Sequence, residues 1–165
     1  MAEPAPEHGP GPPGDQLRPG EAAVEAGEPA DARLHFIGRI RTPWAARREC
    51  PRQGRLDGPL CRVEVDEPWA AALLGLAPGA EVDLLYWMHL ARRDLVRQSP
   101  RGGAPTGTFA LRSPVRPNPI AVSRAVLVAV EPAALLVRGL DCVDGTPLLD
   151  IKPSRCHHSP EPGPG

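Results

Sequence analysis

Lysine is nearly missing from this chain. Lys152 stands alone, and the other 18 basic residues are arginine. Cationic recognition therefore falls to the guanidinium, whose planar fork grips a carboxylate or phosphate in two places. Cysteine is sparse and unpaired in spacing: Cys50, Cys61, Cys142 and Cys156 form no C-x-x-C. That argues against a disulfide framework or a zinc site and makes a reduced, cytoplasmic setting the expectation, with no metal. No apolar run approaches the ~18 residues of a membrane span, and no charged-then-apolar leader precedes the chain, so neither a membrane nor an export role is expected. No G-x-x-x-x-G-K-[ST] occurs, which removes the usual triphosphate loop, and no G-x-S-x-G occurs.

Proline and glycine, by contrast, are abundant, at 23 and 17 of 165 residues. The length suits one domain. The nearly neutral total hides an asymmetry: residues 1–32 hold one base, Arg18, against seven acids, a net of −6, and residues 33–165 carry +5. An acidic segment thus precedes a basic domain, and a basic surface favours polyanions such as nucleic acid. Residues 1–32 are Pro, Gly, Ala and Glu with few large apolar side chains, too few to offset the entropy of ordering; they are expected to be disordered. Residues 155–165 share that character and read as a flexible tail, in which Cys156-His157-His158 is a frayed end rather than a metal site.

Order is expected over 33–154. Alternation predicts strands at "RLHFIGRI", "CRVEV", "EVDLLYWMHL" (central), "TFALRS", "AVSRAVLVAVE", "ALLVRGLDCV" and "PLLDIKP". "EPWAAALLGLAPG" reads as a helix opened by Pro68, with Trp69, Leu73, Leu74 and Leu76 on its apolar side and Pro78-Gly79 as its stop. "ARRDLVRQSPRGGAPTG" reads as a basic loop. Without β-α-β alternation a doubly wound parallel sheet is disfavoured; many short strands punctuated by Gly and Pro predict a mainly β fold, a small barrel or sandwich with one or two short helices.

Four segments are too polar and too stiff to be plain connectors. In "RSPVRPNPIAVS", Arg116 and Asn118 each precede proline and are pushed into extended conformations. The Asn118 amide, a donor beside an acceptor, can meet an adenine edge or a carbamoyl group, or can cap a turn. In "CPRQG", Arg52 and Gln53 offer a fork and an amide suited to an amino-acid carboxylate, or a solvated loop. His89 is a core histidine or an actor. Asp144-Gly145-Thr146 is a tight turn whose carboxylate can also hold ribose hydroxyls. Asp150 and Lys152 share one face of a strand, as a surface ion pair or as a proton acceptor and an anion contact.

Taken in order, "IGRIRTPW", "CPRQG", "GTFALRSPVRPNPI" and "DGTPLLDIKP" resemble the TsaA-like family known as TrmO, over residues 34–153. The resemblance implies a small β-barrel unlike the Rossmann-type methyltransferases, a homodimer with cofactor near the subunit interface, and S-adenosylmethionine-dependent methylation of tRNA. The acceptor would be threonylcarbamoyladenosine beside the anticodon, at the carbamoyl-bearing exocyclic nitrogen. Family cofactor contacts carry over to Pro51, Arg52, Gln53, His89, Leu90, Arg112, Val122, Val143, Asp144, Gly145 and Thr146. Asn118 and Asp150 are then the catalytic candidates, and Arg41, Arg116 and Lys152 the candidates for the threonyl carboxylate and nearby phosphates. This chain departs from the family pattern at Leu111, Ala121 and Ser154. Two alternatives remain: a methyltransferase for another small molecule or nucleotide, and a nonenzymatic cofactor-sensing or RNA-binding regulator.

Overall fold

Period-two alternation is strongest in three stretches, and each becomes a barrel stave. The computed structural model describes residues 17–24, 33–100 and 103–154. Its strands are β1 (Ala22–Ala23), β2 (Gly38–Arg41), β3 (Cys61–Val65), β4 (Glu81–Trp87), β5 (Leu95–Gln98), β6 (Thr106–Gly107), β7 (Ile120–Glu131), β8 (Ala134–Arg138) and β9 (Thr146–Pro153). The chain divides into two compact units: the described parts of residues 1–29 with 91–118, and residues 30–90 with 119–154.

The second unit is a closed barrel in the order β2-β3-β8-β7-β4-β9, antiparallel throughout. Closure leaves no free sheet edge. Because successive side chains face opposite ways, Ile40, Val63, Val65, Val82, Leu84, Tyr86, Leu127, Leu135, Val137 and Leu148 all point inward and are buried. The intervening Arg39, Arg62, Glu64 and Asp83 stay at the surface. A two-residue loop, Pro132-Ala133, joins β7 to β8. On β9 an irregularity opposite Leu85/Tyr86 leaves Leu149 as an extra residue, immediately before Asp150.

Three local expectations are corrected. "WAAAL" is a 3-10 turn, Trp69–Leu73, and not an α-helix. The Leu74 N–H bonds back three residues to Ala71, and Gly75 then takes φ +93°, so the run ends before an α-helix can propagate. Of its expected apolar side only Leu73 is buried, while Leu74 is 95% exposed. "TFALRS" is not a strand but a second 3-10 turn, Thr108–Ala110. The first stave begins at Gly38, leaving Leu34 and Phe36 exposed.

The first unit is a three-stranded sheet, β1-β5-β6, within the stretches expected to be a disordered segment and a basic loop. Main-chain pairing needs no apolar composition: Ala22 and Ala23 pair with Arg97 and Leu95. Glu21, its side chain buried, accepts from the Ser99 and Arg18 N–H groups. Buried Thr108 donates to the Leu95 carbonyl, and Gln98 donates to Thr108 and to the Val115 carbonyl. The remaining expected tail residues, 1–16, 25–32 and 155–165 with Cys156-His157-His158, lie outside the described residues.

Candidate functional site

Antiparallel pairing decides which loops meet. The C-terminal ends of β2, β4 and β8 and the N-terminal ends of β3, β7 and β9 share one rim of the barrel. That rim carries the loops 42–60 and 139–145 and the turn 88–90, so candidates spread over a hundred residues of sequence come to one end of one barrel.

Loop 139–145 fastens both ends of the segment 42–54. At one end, an Asp144 carboxylate oxygen accepts the Thr42 N–H at 3.0 Å, and the Asp144 N–H donates to the Trp44 carbonyl at 2.8 Å. The Thr42 hydroxyl donates to the Cys142 carbonyl at 2.9 Å, and the Gly145 N–H to the Ile40 carbonyl at 2.8 Å. At the other end, Gly54 N–H donates to an Asp141 carboxylate oxygen at 3.2 Å. A side chain at Gly54 is impossible without movement, since a Cβ would fall 1.8 Å from the Gly139 carbonyl oxygen. Between these fastenings Pro51, Arg52 and Gln53 are exposed.

The "DGT" turn is a tight turn, with Gly145 at φ +77°, a conformation glycine adopts without penalty. Asp144 is exposed, and Arg41 approaches its second oxygen at 3.8 Å while bonding Glu64 at 2.9 Å. Thr146 is buried; its hydroxyl donates to the Val143 carbonyl at 2.7 Å, so its side chain closes the turn instead of facing outward. Val143 is likewise buried.

β4 ends at Trp87, so His89 lies beyond the strand in a turn, exposed, with its N–H on the Trp87 carbonyl. Leu90 is exposed beside it. Leu85 pairs with Val122 on one side and Asp150 on the other, which sets those two candidates across the same outer face of the barrel. Asp150 bonds Lys152 at 2.6 Å and accepts the Ile151 N–H at 2.8 Å, so the two side chains meet on the outer strand face.

Arg112, Arg116 and Asn118 belong to the other unit. Arg116 donates to the Leu111 and Ser113 carbonyls, and its guanidinium lies 5.8 Å from the centroid of Phe109. Asn118 is exposed.

Two residues escaped the sequence reading. Phe109 is 80% exposed on its 3-10 turn; an aromatic ring in a polar, glycine-bounded loop is the signal. Asp141 sits between buried Leu140 and Cys142. Asp141 itself is half-buried, and its carboxylate has three donors: the Gly54 N–H, the Tyr86 hydroxyl at 2.8 Å and the Ser123 hydroxyl at 3.3 Å. Tyr86 and Ser123 oxygens are themselves 2.7 Å apart. Burial, reinforced by Asp141, pushes the Tyr86 phenol far up, so it remains a donor. Burial pushes the Cys142 thiol up to about 12, and that of Cys50, beside Asp141 and Glu49, upward as well. Among the described residues no cluster of three His, Cys, Asp or Glu is arranged to hold a metal, and no helix is long and apolar enough to cross a membrane.

A family profile described as the tRNA-methyltransferase O N-terminal domain matches residues 39–157. A probable S-adenosyl-L-methionine-binding protein, VirR, of Rhizobium radiobacter is 51% identical over 146 residues, 88% of this chain and 83% of the relative. A tRNA (adenine(37)-N6)-methyltransferase of Mus musculus is 42% identical over 86 residues, 50% of this chain and 20% of the relative. The crystal structure of TrmO from Pseudomonas aeruginosa superposes with a TM-score of 0.64 at 32% identity, covering 76% of this chain and 57% of that one. This chain thus spans somewhat over half the length of that structure.

Proposed function

The chain belongs to the tRNA-methyltransferase O family, and on that premise we propose that it is an S-adenosylmethionine-dependent tRNA methyltransferase acting on threonylcarbamoyladenosine beside the anticodon. The observation that carries the reading is the fastening of the "PRQ" loop and the "DGT" turn to each other on one barrel rim, through Asp141 and Asp144. Their donor set fits the cofactor's three parts. Arg52 and Gln53 suit its amino-acid carboxylate, Asp144 its ribose hydroxyls, and the exposed Leu90 and Val122, with His89 and the main chain of Val143 to Thr146, its adenine; Pro51 stiffens the loop and Arg112 adds a cation.

When bound, the cofactor supplies an already activated methyl group, so the protein's task is placement and removal of one proton. In this reading the Asn118 amide orients the modified base, with proline on either side leaving little entropy to lose. Asp150 accepts the proton released from the acceptor nitrogen, and Lys152 holds that carboxylate ready. Placement of the two reactants can lower the barrier by about 7–11 kcal/mol in favourable cases. Arg41 and Arg116 receive the threonyl carboxylate or adjacent phosphates. Residues 91–118 hold six arginines against Asp94, a net of +5, which suits an anticodon loop, and Phe109 offers an exposed face on which a base can stack.

We further propose a homodimer, for which β7 presents exposed Ile120, Val122 and Val128, and a cytoplasmic site of action, where tRNA is found. Incubating the purified protein with S-adenosylmethionine and tRNA bearing threonylcarbamoyladenosine, then analysing nucleosides by mass spectrometry, tests the activity. A mass gain of one methyl on that nucleoside is expected. Cofactor binding without methyl transfer to any tRNA would favour a cofactor-sensing regulator instead.

A further inference from the structure

We propose that Asp141 is a positioning residue that sets the "PRQ" loop for cofactor binding. The inference rests on the reading of Pro51, Arg52 and Gln53 as cofactor contacts and extends it to a residue outside that set. Asp141 divides its two carboxylate oxygens between two different parts of the molecule. One accepts the Tyr86 hydroxyl of β4 at 2.8 Å and the Ser123 hydroxyl of β7 at 3.3 Å, both within the barrel wall. The other accepts Gly54 N–H at 3.2 Å, one residue past Gln53. A single side chain therefore ties an exposed loop to two neighbouring staves.

The anchoring leaves little slack. Tyr86 is 2% exposed, so its hydroxyl cannot follow a wandering carboxylate. Gly54 lies so close to the Gly139 carbonyl that only a residue without a side chain fits, which brings the loop main chain within reach of Asp141. Three residues on, Asp144 holds Thr42 and Trp44 at the far end of the same segment. The spacing between Arg52 and Asp144, the groups assigned to the two ends of the cofactor's amino-acid and ribose portions, is then a property of loop 139–145 and of the carboxylate that locks it to the barrel. Small displacements of groups that orient a reactant cost large factors in rate or affinity.

Three measurements on the full chain test this: calorimetric affinity for S-adenosylmethionine, kcat at saturating cofactor, and amide exchange of the peptide containing residues 50–54. For Asp141→Ala we expect affinity to fall about tenfold or more, corresponding to the loss of one charge-assisted bond, with kcat at saturation changed less than about threefold. Exchange in 50–54 should accelerate. Asp141→Asn keeps an acceptor for Gly54 and donors for the two hydroxyls, and should restore affinity and exchange towards wild type. Ser123→Ala loosens the same network without touching the loop, and should lower thermal stability while leaving affinity unchanged.

If Asp141→Ala does not fold, Asp141→Ser carries the same expectation, because its hydroxyl is one bond too short for Gly54. Unaltered exchange in 50–54, or an affinity loss in Ser123→Ala matching that of the Asp141 variants, would overturn the proposal. Should the wild-type protein bind no S-adenosylmethionine, the functional reading fails on its own, and exchange still decides whether Asp141 sets the loop.

Discussion

Tyr86→Phe removes one oxygen from the interior of the barrel and tests whether the polar network there stabilises the fold. The phenol donates to Asp141 at 2.8 Å and sits 2.7 Å from the Ser123 oxygen, in a residue 2% exposed. A hydrogen bond to a charged acceptor contributes about 1.5–3 kcal/mol. Two effects work against that loss: phenylalanine is the more apolar ring, and the Ser123 hydroxyl, now 3.3 Å from Asp141, can close on the vacated oxygen. The net destabilisation should therefore be near 2 kcal/mol, within the range set by the lost bond. For a chain of this size that corresponds to a fall in Tm of about 4–8 °C. Urea unfolding followed by circular dichroism should show a lower midpoint at unchanged slope, since the surface exposed on unfolding is the same. A midpoint equal to that of the wild type would mean that Asp141 is satisfied without the phenol and that the network adds nothing to stability.

Other outcomes follow from the same geometry. Gly54→Ala must displace either the loop or the Gly139 main chain, since its Cβ would fall 1.8 Å from a carbonyl oxygen; loss of cofactor affinity by calorimetry at least as large as that of Arg52→Ala is expected. Asn118→Ala should abolish methyl transfer in the tRNA assay and leave cofactor affinity intact, and unchanged turnover would remove Asn118 from the mechanism. Cys142, its thiol raised by burial from an ordinary value near 9 to about 12, favours the protonated folded state. Its contribution to stability is full below pH 9 and is lost as pH rises towards 12; urea midpoints should fall over that window, less steeply in Cys142→Ala. Raising salt should weaken tRNA binding steeply, with a shallower dependence once Arg116 is replaced.

Much of the barrel could be read from residue order, and the candidate contacts were named from residue type and spacing. "CRVEV" and "EVDLLYW" alternate so regularly that one face had to be buried, and the stiffness of "RPNPI" follows from proline geometry in any fold. The motifs carried the family, and with it the candidate contacts, because residue type and spacing are properties of the chain itself. Three things depended on contacts between distant segments. "WAAALL" has helical composition, yet the few residues before Gly75 cannot repay nucleation, and only Ala70 and Leu73 are buried. Ala22-Ala23, poor in every strand signal, pairs because β5 offers it main-chain partners some seventy residues along, a distance no local pattern encodes. Nothing in "GLDCVDG" distinguishes Asp141 from Asp144. Only barrel closure, which brings Tyr86, Ser123 and Gly54 around it, turns that half-buried carboxylate into the tie between a loop and the wall, because its donors come from three separate segments of the chain.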